Sequence, residues 1–129
     1  MQTAALVITG IVALLHIYFL VLEMFLWDKA PGFRAFGHTP EQAAVTKTLA
    51  RNQGLYNGFL AAGLIWGIYQ IGRDWHFGFH ILIFFLTCVI IAGIFGAVTA
   101  SRKILFIQAL PALIALVLLT VYFAMRVMP

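Results

Sequence analysis

The sequence predicts an all-α integral membrane protein, a four-transmembrane-helix antiparallel bundle with its N- and C-termini outside the cytoplasm. Three observations carry this reading. Of the 129 residues, 64% are hydrophobic and only 9% are charged, whereas a soluble domain carries about 25% charged residues. Four apolar stretches, at about 3–27, 52–71, 75–99 and 104–126, each reach the roughly 20 residues that a spanning helix needs. The eight basic residues stand at the ends of those stretches rather than in one patch, which is the distribution of topology signals and not of a nucleic-acid surface. A chain of this length is expected to form one domain, here a single transmembrane domain over 1–129, with membrane lipid as its solvent.

Helix 1 is expected at 3–27. It has no basic segment before it, exceeds 20 residues and contains His16 and Glu23, so it reads as a retained helix and not as a signal peptide. His16, Phe19, Leu20, Glu23 and Trp27 share one stripe at spacings of three and four. Glu23 lies four residues, roughly 6 Å, inside the end of the helix. A charged carboxylate in hydrocarbon costs about 2.5–3.5 kcal/mol on insertion scales, and such a residue is a functional candidate by default. The bland alternative is a neutral, hydrogen-bonded structural Glu. His16 lies roughly 10 Å further along the same stripe, near the midplane; a satisfied core histidine competes there with a functional one.

After a break at 28–37, Thr39, Pro40 and Gln42 form an N-cap, a first-turn proline and a capping box. Helix 2 is therefore expected at 40–71, with polar first turns before it enters lipid near Asn52. Its stretch "ARNQGLYNGFLAAGL" (50–64) supplies Asn52, Gln53, Tyr56 and Asn57. Gln53 and Asn57 share a face at a four-residue spacing, as donors that lower the cost of a buried carboxylate. Gly54 and Gly58 form a GxxxG pattern that lets another helix approach closely. Interhelical glue is the competing reading of these amides.

Helix 3 follows at 75–99 after a short break at 72–74. His76 and His80 stand one turn apart at its start, but a pair without a third ligand makes no metal site, and none is expected. Trp27, Trp66 and Trp75 read as interface anchors. Gly63 with Gly67, and Gly93 with Gly96, read as packing positions, and the glycine-rich faces of helices 2 and 3 predict a homo-oligomer. Helix 4 is expected at 104–126. Gln108 lies four residues, again roughly 6 Å, inside it, and Pro111 leaves the Ile107 carbonyl without its helical partner.

Glu23, Asn57 and Gln108 should therefore converge at one level, with Gln53 and Tyr56 at its edge and Trp27 capping it. Orientation follows from charge: Lys29, Arg34, Lys47, Arg51, Arg102 and Lys103 mark one side, and only Arg73 and Arg126 the other. Six against two places the first and third connections in the cytoplasm. The single cysteine, Cys88, excludes an intramolecular disulfide.

The segments "HIYFLVLEMFLW" (16–27), "ARNQGLYNGFLAAGL" (50–64), "AGIFGAVT" (92–99) and "QALPALIAL" (108–116) resemble the family catalogued as domain of unknown function 1304. The resemblance covers nearly the whole chain. It implies a small four-helix, multi-pass protein of the bacterial inner membrane and supplies no activity.

Three functions are consistent with these residues. The first is binding or transport of a small molecule, cation or proton at a polar pocket formed by Glu23, His16, Asn52, Gln53, Tyr56, Asn57 and Gln108. The second is a membrane-embedded enzyme on a lipid-soluble substrate, using Glu23 or His16 as acid or base. Its haem-dependent, isomerase-like variant would use His16 as axial ligand, an analogy of architecture alone. The third is an accessory subunit whose polar layer sets helix register. Binding or transport leads, because it uses Glu23 and the amides together; the ligand itself is not legible.

Overall fold

The computed structural model describes residues 1–127, and every element in them is helical. Helix α1 covers Gln2–Phe25, a short α2 covers Ala30–Phe36, α3 covers Pro40–Ile71 and α4 covers Trp75–Thr99. A π-helical turn at Leu105–Ala109 then leads into α5, Leu110–Val127. Three helical runs are long and apolar enough to cross a membrane: Gln2–Phe25, Trp75–Thr99 and Leu105–Val127. The fourth, α3, is the longest at 32 residues but carries Asn52, Gln53, Asn57 and Gln70 along its length.

Local chemistry sets the ends of α3 and α4. The Gln42 amide N–H donates to Thr39 Oγ1 and the Thr39 N–H donates to Gln42 Oε1 at 2.9 Å, so the capping box satisfies two backbone donors. Asp74 caps α4 by accepting from the Phe77 N–H.

The residues 28–37 are not a simple break. They hold α2, with Pro31 in its first turn and Gly37 ending it at φ 69°, the proline-first, glycine-last order that suits a short helix. Gly32 lies against the Leu26 and Trp27 carbonyls, where a Cβ would come within 2.6 Å of both oxygens. Lys47 of α3 pairs with Asp28 across this turn, and that hydrogen bond holds the Asp28 carboxyl below its ordinary range. Because α1 stops at Phe25, Trp27 belongs to the turn and not to the stripe of helix 1.

The helices pack antiparallel around a core of small and aliphatic residues, including Ala5, Val12, Leu64, Leu82, Leu86, Val89, Ala112 and Leu119. Glycines set the approach of α3 to both neighbours. A Cβ on Gly54 would stand 2.6 Å from Met24 Cγ and one on Gly58 2.6 Å from Leu20 Cδ1, both in α1. Gly63 and Gly67 face Phe85 and Leu82 of α4. Gly93 meets the backbone of Ala109, and Gly96 meets Ile104. The glycine faces expected to join subunits are thus occupied by contacts within the chain.

Candidate functional site

Two pairs of polar side chains meet across the interior, both anchored on α1, while the buried Thr9 hydroxyl donates within α1 to the Ala5 carbonyl. The lower pair is Glu23 with Asn57. Gly54, Asn57, Gly58 and Ala61 follow each other at helical spacing on the face of α3 that meets α1, and the two glycines bring the backbones close enough for a short side chain to reach across. Asn57 Nδ2 donates to Glu23 Oε2 at 2.7 Å, with both residues half-buried.

The upper pair is His16 with Gln108. His16 is 0% exposed. Its Nδ1–H donates to the Val12 carbonyl at 2.8 Å, and since a carbonyl only accepts, that nitrogen carries the proton in the neutral ring. Nε2 is then a lone pair, and Gln108 Nε2 lies 3.0 Å from it as donor. Both ring nitrogens are engaged. An axial bond to haem would require Gln108 to leave Nε2, inside a fully enclosed position, which disfavours His16 as a haem ligand.

Gln108 therefore departs from expectation: it bonds His16, not the Glu23–Asn57 pair. The reason is the π-helical turn. Leu110 N–H donates to the Leu105 carbonyl, five residues back, because Pro111 has no N–H and its ring crowds the carbonyl four residues before it. The extra residue widens the turn and re-aims the side chains within it.

Asn52, Gln53 and Tyr56 lie on the exposed side of α3 and make no side-chain hydrogen bond among the described residues. Gln53, expected at the edge of the layer on the same face as Asn57, sits one residue off the glycine stripe. Trp27 donates through Nε1 to Thr46 Oγ1 at 3.1 Å, joining the α1–α2 turn to α3 beyond the Glu23 level. His80 Nδ1–H donates to the His76 carbonyl, and no group of three His, Cys, Asp or Glu gathers among the described residues.

One cluster escaped the sequence reading. His38 stacks on Trp27 with centroids 4.2 Å apart and is flanked by Phe33 and Phe36; its Nε2–H donates to the Trp27 carbonyl at 2.8 Å. The aromatic spacing in 27–38 together with Pro31 and Gly37 was the signal for this folded turn. Among the described residues, a surface groove of about 440 Å³ lies between α1 and α3 and another of about 480 Å³ at the end of α4, and neither of these is lined by a member of the two polar pairs.

The chain is 29% identical over 119 residues to "Uncharacterized protein YpaA" of Lactococcus lactis subsp. lactis (strain IL1403), covering 91% of this chain and 97% of that protein. No solved structure matches it. The family described as Protein of unknown function (DUF1304) matches residues 10–120, and the chain belongs to that family.

Proposed function

We propose that this is a four-span membrane protein that takes up and releases a proton at Glu23. The observation that carries the reading is the Asn57–Glu23 hydrogen bond of 2.7 Å between α1 and α3, with both residues half-buried. Asn57 presents its NH₂ to the carboxylate, not its oxygen. A carboxamide serves either state of a titrating acid. It donates to the carboxylate, and after protonation it turns so that Oδ1 accepts from the carboxyl O–H. Gln108 is the same kind of partner for His16. Glu23 and His16 thus each keep a side-chain partner that can donate or accept, while the charge that makes Glu23 costly in hydrocarbon is removed by binding.

Infrared difference spectra between acid and neutral pH test this. Glu23→Gln is expected to remove a carboxyl C=O band that wild type gains on acidification, and Asn57→Ala to shift its frequency, with Asp28, Glu41 and Asp74 contributing equally to all three spectra. A difference spectrum unchanged by Glu23→Gln overturns the proposal.

The packing of α3 supports four crossings. It begins beside the end of α1, where Asp28 meets Lys47, and it ends beside the start of α4, where Gly78 touches Ile71. If α1 and α4 cross, a helix that packs along α1 and against the first half of α4 is expected to cross too. The basic residues at the α2 end favour the cytoplasm of a bacterial inner membrane for that side, with both termini outside. In a Cys88→Ser background, Ala35→Cys is expected to react with an impermeant thiol reagent only from the cytoplasmic side, and Val127→Cys only from outside. The reverse pattern refutes the orientation.

A further inference from the structure

We propose that the groove at the end of α4 binds an anionic phospholipid, with its phosphate on Arg102 and an acyl chain along the apolar wall. The groove has a volume of about 480 Å³ and is lined by Ile94, Ala97, Val98, Arg102, Leu105 and Phe106, within the range of ligand pockets, roughly 300–1,000 Å³. Five of these six residues are apolar and the sixth is a guanidinium at one end. Val98 is 83% exposed and Phe106 65%, so the wall is open to the lipid phase. Arg102 makes no ion pair or side-chain hydrogen bond among the described residues, whereas Lys47, at the same end of the bundle, is neutralised by Asp28.

Charge complementarity decides the occupant. The end of the bundle formed by the start of α3 and the end of α4 carries Lys29, Arg34, Lys47, Arg51, Arg102 and Lys103 against only Asp28 and Glu41. An anionic headgroup is favoured there, and basic pockets between membrane helices on the cytoplasmic side are where acidic headgroups bind. Arg offers a phosphate two parallel N–H donors, and in a zwitterionic lipid the phosphate charge is already balanced by the lipid's own ammonium. A free phosphate would use Arg102 alone and leave the five apolar residues without a role. The inference rests on the chain lying in a bilayer and is independent of what Glu23 does.

Native mass spectrometry of the protein released from micelles with equimolar phosphatidylglycerol and phosphatidylcholine tests it. Wild type is expected to retain phosphatidylglycerol roughly fivefold over phosphatidylcholine, the factor set by ~1 kcal/mol per basic residue near an anionic surface. Arg102→Gln should abolish the preference, Arg73→Gln at the opposite end should leave it intact, and Ala97→Phe, which fills the groove, should reduce retention of both lipids. Excess inorganic phosphate should displace neither. The proposal fails if the preference survives Arg102→Gln, if Arg73→Gln removes it equally, if Ala97→Phe changes nothing, or if phosphate strips the bound lipid.

Discussion

Gly78→Ala is expected to destabilise the bundle by about 1–3 kcal/mol, the range for an added methylene in a close-packed position, and by more than Gly96→Ala in the same helix, whose Cβ would meet only side-chain atoms of Ile104 at 3.2 Å or more. A Cβ on Gly78 would come 2.5 Å from the Ile71 nitrogen, 2.8 Å from the Gln70 carbonyl carbon and 2.9 Å from Ile71 Cα. All three are backbone atoms, so no rotamer change relieves the contact. The α3–α4 turn is also tight: the Asp74 N–H donates to the Gln70 carbonyl at 2.8 Å and the Gly78 N–H to the Asp74 carbonyl at 2.9 Å. Separating the helices here would pull Gly67 from Leu82 and Gly63 from Phe85, loosening the α3–α4 seam along its length. Gly10→Ala is the control. It lies mid-helix in α1, a Cβ there would meet nothing within 4 Å, and replacing helical Gly by Ala raises stability by roughly 0.5–1 kcal/mol. Reversible unfolding in mixed detergent–SDS micelles reads both variants. Equal stability of Gly78→Ala and wild type would mean that the two backbones can part without loss.

The all-helical, apolar class was legible because composition alone sets it. The capping box at Thr39 and Gln42 was legible because its partners are three residues apart. What tertiary packing decides was not. The four-residue spacing that put Gln53 beside Asn57 is a property of one helix; which of the two reaches Glu23 depends on where Gly54 and Gly58 let α1 approach. Depth counted along straight helices placed Gln108 with Glu23. The π-helical turn breaks that count, and only the proline hinted at it. Trp27 was extrapolated onto the stripe of helix 1 because nothing between Phe25 and Trp27 breaks the apolar pattern, although Pro31 and Gly37 announced a separate short helix. Residue type alone marks Asn57, Gln108 and the α3 glycines as able to make close contacts, but which partner each meets belongs to the folded bundle.

The His16–Gln108 pair is expected to show a coupling free energy above ~1 kcal/mol, toward the upper end of the about 0.6–1.7 kcal/mol measured for hydrogen bonds in helical membrane proteins. Those values are modest because separated helices in a bilayer find other partners for their polar groups. His16 has half of such a partner: its Nδ1–H bond to Val12 lies within α1 and persists when the helices part. Nε2 has no acceptor role to play within its own helix, so separating α1 from α5 leaves a bare lone pair in hydrocarbon. Gln108→Leu leaves Nε2 equally unpaired but inside the folded core, where an orphaned polar group costs about 1–3 kcal/mol. His16→Leu leaves the Gln108 amide unpaired instead, at less cost because Gln108 is only half-buried. The double variant removes both polar groups and restores an apolar contact, so it should recover most of the loss of Gln108→Leu. Unfolding free energies of the four proteins give the coupling directly, and ¹⁵N imidazole shifts identify the tautomer, with Nδ1 protonated in wild type. Additive single-variant losses would show that Gln108 and His16 are neighbours without a bond, and the π-helical turn would lose its structural purpose with it.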